Sequence, residues 1–210
     1  MIKEEENILL NEGKMLPVME HFYTLQGEGA HAGKAAYFIR LGGCDVGCHW
    51  CDVKESWDPT LHPLMNTEEI AITAARHCKT IVLTGGEPLM WNLEPLTWRL
   101  KELGCDIHIE TSGAYDMTGT LDWITLSPKK TGLPKAEIYH KASELKVIVF
   151  NNNDFKFAAE QAAKVSPNCK LYLQSEWSKR NEMYPKITDF ILENPEWQIS
   201  VQTHKYLNIP

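Results

Sequence analysis

The chain has 210 residues, 43% of them hydrophobic, with a formal net charge of −7. That length and apolar content suit a single domain with a substantial core. The acidic balance excludes a general electrostatic attraction to nucleic acid, and no apolar run is long enough to span a membrane.

The start, Met1-Ile2-Lys3-Glu4-Glu5-Glu6, is acidic and lacks the apolar segment of a signal peptide. Residues 1 to about 17 read as a peripheral tail. Ala36 to Leu41 reads as a strand running into a cysteine-bearing loop. Asn66, with Glu69 three residues on, opens a helix that should last to about Cys78. Ile81-Val82-Leu83 is a short buried strand ending at Thr84-Gly85-Gly86-Glu87-Pro88. Leu93, Leu96, Leu100 and Leu103 share one helix face, and Gly104 ends that helix.

Asp106 to Ile109 then leads to Glu110-Thr111-Ser112-Gly113, and Trp123 to Leu126 leads to Ser127-Pro128-Lys129. Leu145 to Val149 is strand-like, and a helix is expected from Asp154 to Lys164. Leu171 to Leu173 runs into Gln174-Ser175-Glu176. A last helix near Lys186 to Leu192 precedes Gln198 to Val201, which ends at Gln202-Thr203-His204-Lys205.

Strand, polar loop and helix in repetition predict parallel βα units. About seven strands fit, whereas eight full units take roughly 250 residues. The expected fold is therefore α/β: an incomplete, open (β/α) barrel of mostly parallel strands, one domain over residues 1–210. In such sheets ligands sit at the carboxyl ends of the strands, where the polar clusters fall.

The densest chemistry is Cys44, Cys48 and Cys51, within eight residues of a glycine-bearing loop. Zinc sites use two short ligand pairs set apart, and no second pair follows. His49 inside the loop is a poor substitute for one. The C-x3-C-x2-C spacing suits three corners of a 4Fe-4S cluster whose fourth iron is free for chemistry. Zinc and a redox disulfide remain as competing readings. Cys78, Cys105 and Cys169 lie in apolar segments and read as core residues.

Thr84-Gly85-Gly86-Glu87-Pro88 brings two glycines, which let backbone approach a ligand, next to a carboxylate suited to an ammonium group. Alone it could be an ordinary turn. Ser127-Pro128-Lys129 and Gln174 also sit at strand ends, where plain turns compete. Arg40 by itself could be a surface ion pair, and His204 a satisfied core histidine.

The cysteine loop, with Trp50 before its last cysteine, resembles the radical S-adenosylmethionine enzymes. The resemblance implies an open iron that chelates the amino and carboxylate groups of S-adenosylmethionine. One electron then cleaves the sulfonium to a 5′-deoxyadenosyl radical. It also implies that Trp50, Cys51, Asp52, Gly86, Glu87, Ser127, Pro128, Lys129 and Gln174 surround this cofactor.

Further segments narrow the resemblance. Leu25-Gln26-Gly27-Glu28-Gly29, Arg40 and the terminal His204-Lys205-Tyr206-Leu207-Asn208-Ile209-Pro210 join the motifs above. From about residue 20 to 210 the chain resembles the 7-carboxy-7-deazaguanine synthases. That family contracts 6-carboxy-5,6,7,8-tetrahydropterin to 7-carboxy-7-deazaguanine with loss of ammonia, for 7-deazapurines such as queuosine. The resemblance implies a pterin site at Leu25, Gln26, Gly27, Glu28, Arg40, Thr84, His204 and the Pro210 carboxylate. Gln26 and Glu28 would read the ring edge, and Arg40 the substrate carboxylate. No protein acid or base is assigned.

One position departs. The family carries Thr or Ser after Cys-Asp as a magnesium ligand, and here Val53 offers no oxygen. A weakened Mg²⁺ requirement is expected. The resemblance also implies a homodimer and a separate electron-donating reductant. Some of Trp91, Trp98, Trp123, Trp177 and Trp197 are candidates for the dimer contact. An oxygen-sensitive cluster points to the cytoplasm. The rivals are a radical activase acting on a partner protein and a non-enzymatic iron–sulfur or zinc protein.

Overall fold

A computed structural model describes residues 4–210. Residues 1–3, the start of the expected tail, lie outside the described residues. Helix α1 (Glu4–Asn11) precedes β1 (Met15–Leu25), and Leu10 and Leu16 are buried within the stretch expected to be peripheral. Strand β2 (Ala35–Leu41) runs antiparallel to β1, and β3 (Leu64–Asn66) pairs with the start of β1. Helix α2 (Thr67–His77) opens on Asn66, whose side chain accepts from the Glu68 N–H at 2.9 Å. Acidic residues in its first turn and basic residues in its last complement the helix dipole.

The parallel units follow: β4 (Thr80–Gly85), α3 (Glu94–Glu102), β5 (Asp106–Thr111), β6 (Trp123–Leu126), α4 (Ala136–Lys141) and β7 (Glu144–Val149). Then come α5 (Asn153–Ala162), β8 (Lys170–Ser175), α6 (Arg180–Glu193), β9 (Trp197–Ser200) and α7 (Thr203–Leu207). The sheet order is β3-β1-β2-β4-β5-β6-β7-β8-β9, with consecutive pairs from β2 to β9 parallel. The seven expected strands are this parallel set. The antiparallel β1 and β3 extend it to nine among the described residues, and the sheet is not closed. Helix α6 starts six residues before its expected position and runs through Pro185, which lacks one backbone donor near the first turn.

Strand periodicity explains how this sheet carries both a core and a site. One face presents Ile39, Leu41, Ile81, Leu83, Ile107, Ile109, Leu145 and Val147 to the helices, and all are buried in one apolar cluster. The alternate positions face the other way. Leu93, Leu96 and Leu100 of the α3 region are fully buried against the helix-side face, as their spacing predicts.

Candidate active site

The face turned away from the helices lines a cavity of about 440 Å³. Phe38 and Arg40 of β2, Thr84 of β4, Glu110 of β5, Lys146 and Ile148 of β7 and Gln174 of β8 all contribute to its wall. Every residue expected at the site reaches this wall except Pro128, which is buried.

The cysteine loop leaves β2 through Gly42 and Gly43, and its return segment is tied back to it. Gly43 N–H donates to Ser56 O at 2.6 Å and Cys44 N–H to Trp57 O at 3.1 Å. Trp91 Nε1 donates to Gly42 O at 2.8 Å. The Gly85-Gly86 turn is stitched to the same loop: Gly86 N–H donates to Leu41 O at 2.9 Å and Glu87 N–H to Gly43 O at 2.8 Å. Gly85 has φ +128°, and a Cβ there would stand 2.1 Å from Leu41 O. Only glycine permits so close a backbone approach.

Cys44, Cys48 and Cys51 are free thiols on the cavity wall. Burial pushes the Cys44 and Cys48 thiols up, and neighbouring thiols add to the penalty; Lys129 opposes it at Cys48. Thiols so placed ionise readily only against a bound cation. Cys78, Cys105 and Cys169 immediately precede or lie two residues before β4, β5 and β8, at the amino ends of the strands. They are thus at the opposite edge from the cluster loop. Among the described residues no three His, Cys, Asp or Glu side chains converge as they would on a single ion. Three thiols from one loop on one cavity wall suit three corners of a 4Fe-4S cluster.

Glu87 is 1% exposed. Its carboxylate accepts from Leu89 N–H at 3.1 Å, Ser112 N–H at 2.7 Å and the Thr111 and Ser112 hydroxyls. It therefore ties the Gly-Gly turn to the end of β5 as well as facing the cavity. Lys129 Nζ donates to Ser127 O at 2.8 Å and stands 5.4 Å over the Trp50 ring. Burial lowers its pKa, against the attraction of Cys48. Gln174 Oε1 accepts from Ser200 Oγ at 2.6 Å.

On the other side of the cavity, Gln26 uses both ends of its amide within the protein. Nε2 donates to Glu110 at 3.1 Å, and Oε1 accepts from Glu28 N–H at 3.1 Å. Glu28 accepts from Gln202 Nε2 at 2.9 Å and pairs with Lys146. Burial works to raise the Glu28 carboxyl, but the Lys146 charge and hydrogen bond outweigh it and hold it at about 2. The His204 ring lies on Gly27, where a Cβ would stand 2.2 Å from Nδ1. Thr203 N–H and Oγ1 both donate to Gly27 O at 2.9 Å. Burial lowers the His204 pKa. Arg40 gives Nε to Glu20 at 2.6 Å. Thr24 Oγ1 donates to Pro210 O at 3.4 Å, which brings the chain terminus to the cavity. Asp52 pairs with Lys205 at 2.7 Å, so the C-terminal helix also touches the cysteine loop.

The residue pattern puts Glu110 at the ligand edge without a role, and gives no role to Lys146 or to Phe22, which stacks on Phe38 at 5.6 Å and 7°. Lys146 had a usable signal. In Glu144-Leu145-Lys146-Val147-Ile148-Val149 the two-residue alternation sets Glu144 and Lys146 on the face opposite Leu145, Val147 and Val149. Of the tryptophans considered for a dimer contact, Trp98 is exposed, at 61%. Trp177 lines the cavity and Trp197 is in the core.

The Radical SAM superfamily model matches residues 38–126. The 7-carboxy-7-deazaguanine synthase of Flavobacterium psychrophilum is 61% identical over 210 residues, covering all of both chains. That of Synechocystis sp. is 52% identical over 196 residues, covering 92% of this chain and 93% of its own. The crystal structure of QueE from Escherichia coli superposes with a TM-score of 0.79 at 29% identity, covering 95% of this chain and 99% of that one.

Proposed function

The chain belongs to the 7-carboxy-7-deazaguanine synthase family of radical S-adenosylmethionine enzymes, and we infer that it contracts 6-carboxy-5,6,7,8-tetrahydropterin to 7-carboxy-7-deazaguanine with loss of ammonia. This is a step of 7-deazapurine synthesis, including queuosine. The observation that carries the reading is that one cavity is lined both by the three thiols and the Gly-Gly turn and by residues 24–28 and the chain terminus. A partner-protein activase has no use for the second wall.

Cys44, Cys48 and Cys51 would hold a 4Fe-4S cluster, with S-adenosylmethionine at the iron they leave free. Together these supply one-electron cleavage of a sulfonium. The chain's own work is placement. The Gly85-Gly86 backbone and Glu87 form the turn that meets the amino group of S-adenosylmethionine. Ser127 and Lys129 offer a hydroxyl and an ammonium to its polar groups, and Gln174, Trp50 and Asp52 complete that wall.

Arg40, with Nε fixed by Glu20, presents the rest of its guanidinium to the substrate carboxylate. Glu28 accepts from ring donors, aided by the backbone of Leu25 and Gly27. Gln26 acts by holding Glu28 and Glu110. His204, kept neutral by burial, and Thr84 lie beside the ring, and the Pro210 carboxylate meets its amino group.

The residues do not fit a magnesium site at the family's position, because Val53 is aliphatic and Mg²⁺ takes oxygen ligands. We propose a weak Mg²⁺ requirement. We also propose a homodimer, an external reductant and a cytoplasmic setting. Exposed Trp98 supports the first, and the redox needs of a cluster support the others. Among the described residues no helix is long and apolar enough to cross a membrane.

Oxygen-free reconstituted protein, incubated with the carboxy-tetrahydropterin, S-adenosylmethionine and reductant, should yield the deazaguanine acid by mass analysis. Cleavage of S-adenosylmethionine without that product would favour the activase. Failure to hold iron and sulfide would favour a protein with no radical chemistry.

A further inference from the structure

Lys146 is the least expected charge in the molecule. It lies in the middle of β7, with its side chain 3% exposed. Its ammonium pairs with Glu110 at 2.7 Å and with Glu28. The two acids keep 20% and 16% of their side-chain surface open. They come from different places, Glu110 from the end of β5 and Glu28 from the loop after β1, and each has a second anchor in Gln26 or Gln202.

The arrangement is a nearly buried cation in the cavity wall, flanked by two carboxylates that face the cavity. Two carboxylates sharing a buried site ordinarily cannot both ionise. A fixed ammonium between them removes that obstacle. Burial works against the charge on Lys146, and Glu110, Glu28 and Glu144 outweigh it, so the lysine stays charged. The other charged or titratable groups acting on it are Lys129 after β6 and His204 on α7.

We propose that Lys146 is a positioning residue for substrate recognition: wedged between Glu28 and Glu110, it keeps both as carboxylates that accept from the N–H and amino donors of the pterin ring, and does not itself touch the substrate. The inference rests on the pterin reading and deepens it. A tetrahydropterin displays a guanidine-like edge of ring N–H and one exocyclic amino group. Two ionised acceptors match that edge, whereas a protonated acid would set donor against donor. The same pair would reject a ring with acceptors at that edge.

The test is substrate affinity without turnover, measured without reductant between about pH 6 and pH 9. Wild type and Lys146→Arg should bind with little pH dependence. Lys146→Met should lose about tenfold or more near neutral pH and regain affinity as pH rises, because Glu28 loses the ammonium that holds it ionised against burial. Its KM should rise far more than its kcat falls. A flat profile with wild-type affinity in Lys146→Met overturns the proposal. Unchanged affinity with kcat lost does so too, since that makes Lys146 a catalytic residue.

If Lys146→Met does not fold, the double variant Lys146→Met/Glu110→Gln restores the charge balance. It should fold and bind weakly without a pH inflection; an unfolded double variant reduces Lys146 to a packing residue. Wild type that neither binds the pterin nor makes product would instead sink the function itself.

Discussion

Gly86 lies so close to Gly43 that a Cβ on Gly86 would stand 2.2 Å from the Gly43 carbonyl oxygen. The turn after β4 and the root of the cysteine loop are thus one backbone unit, joined by hydrogen bonds at 2.8 and 2.9 Å. Gly86→Ala must push them apart, with a stability loss of about 2 kcal/mol or more. The expected readout is a lower melting temperature together with less iron per chain after reconstitution. Gly132→Ala, where the nearest atom is an ordinary 3.5 Å away, is the control and should retain both.

Arg40 should tolerate no ordinary cation in its place. Lysine keeps the charge but loses the planar fork and the Nε bond to Glu20. Arg40→Lys should raise KM roughly 10–100-fold, the equivalent of about 1.5–3 kcal/mol for a charged hydrogen bond. Steady-state kinetics with a small change in kcat agrees; a change confined to kcat contradicts the assignment.

Val53 predicts a weak response to chelation. Wild-type activity should change by no more than about twofold between EDTA and added Mg²⁺, and Val53→Thr should introduce a Mg²⁺ response by adding an oxygen ligand. Complete loss of wild-type activity on chelation, restored by Mg²⁺ alone, contradicts this.

His31 packs against His108 at 4.5 Å and Trp123 at 4.4 Å, with both ring nitrogens buried and unpartnered among the described residues. Burial and the neighbouring His108 lower its pKa from 6.5 to about 4. The unfolded chain therefore binds a proton between those values that the folded chain refuses. The stability associated with neutral His31 is complete above pH 6.5 and falls as pH drops towards 4. Denaturant titrations across that window should show the slope, and His31→Phe should flatten it. An unchanged slope in the variant would assign the acid sensitivity elsewhere.

Much of this architecture can be read from the residue pattern, and the exceptions have physical reasons. The parallel strands announce themselves as short aliphatic runs because both ends of each are closed by polar turns. The chemistry follows because parallel strands collect those turns at one edge. Strands β1 and β3 are harder to see. Met15–Leu25 mixes His21, Glu20 and aromatics without clean alternation, and a bulge between Val18 and Glu20 breaks its register. Gln26 and Glu87 were legible as site residues but not in how they act. Their hydrogen bonds join segments 84, 24 and 25 residues apart, and no local pattern encodes such contacts. Lys146 depends on the same kind of distant pairing.

In the 7-carboxy-7-deazaguanine synthase family the adenosyl radical takes hydrogen from C6 of the pterin and S-adenosylmethionine is regenerated, so the most direct test follows that hydrogen. Carboxy-tetrahydropterin deuterated at C6 should be turned over under oxygen-free conditions with limiting S-adenosylmethionine, and both the product and the recovered S-adenosylmethionine weighed by mass spectrometry. The account predicts many turnovers to 7-carboxy-7-deazaguanine and deuterium in the S-adenosylmethionine that remains. Recovery of the pterin unchanged, with S-adenosylmethionine unlabelled, would contradict it.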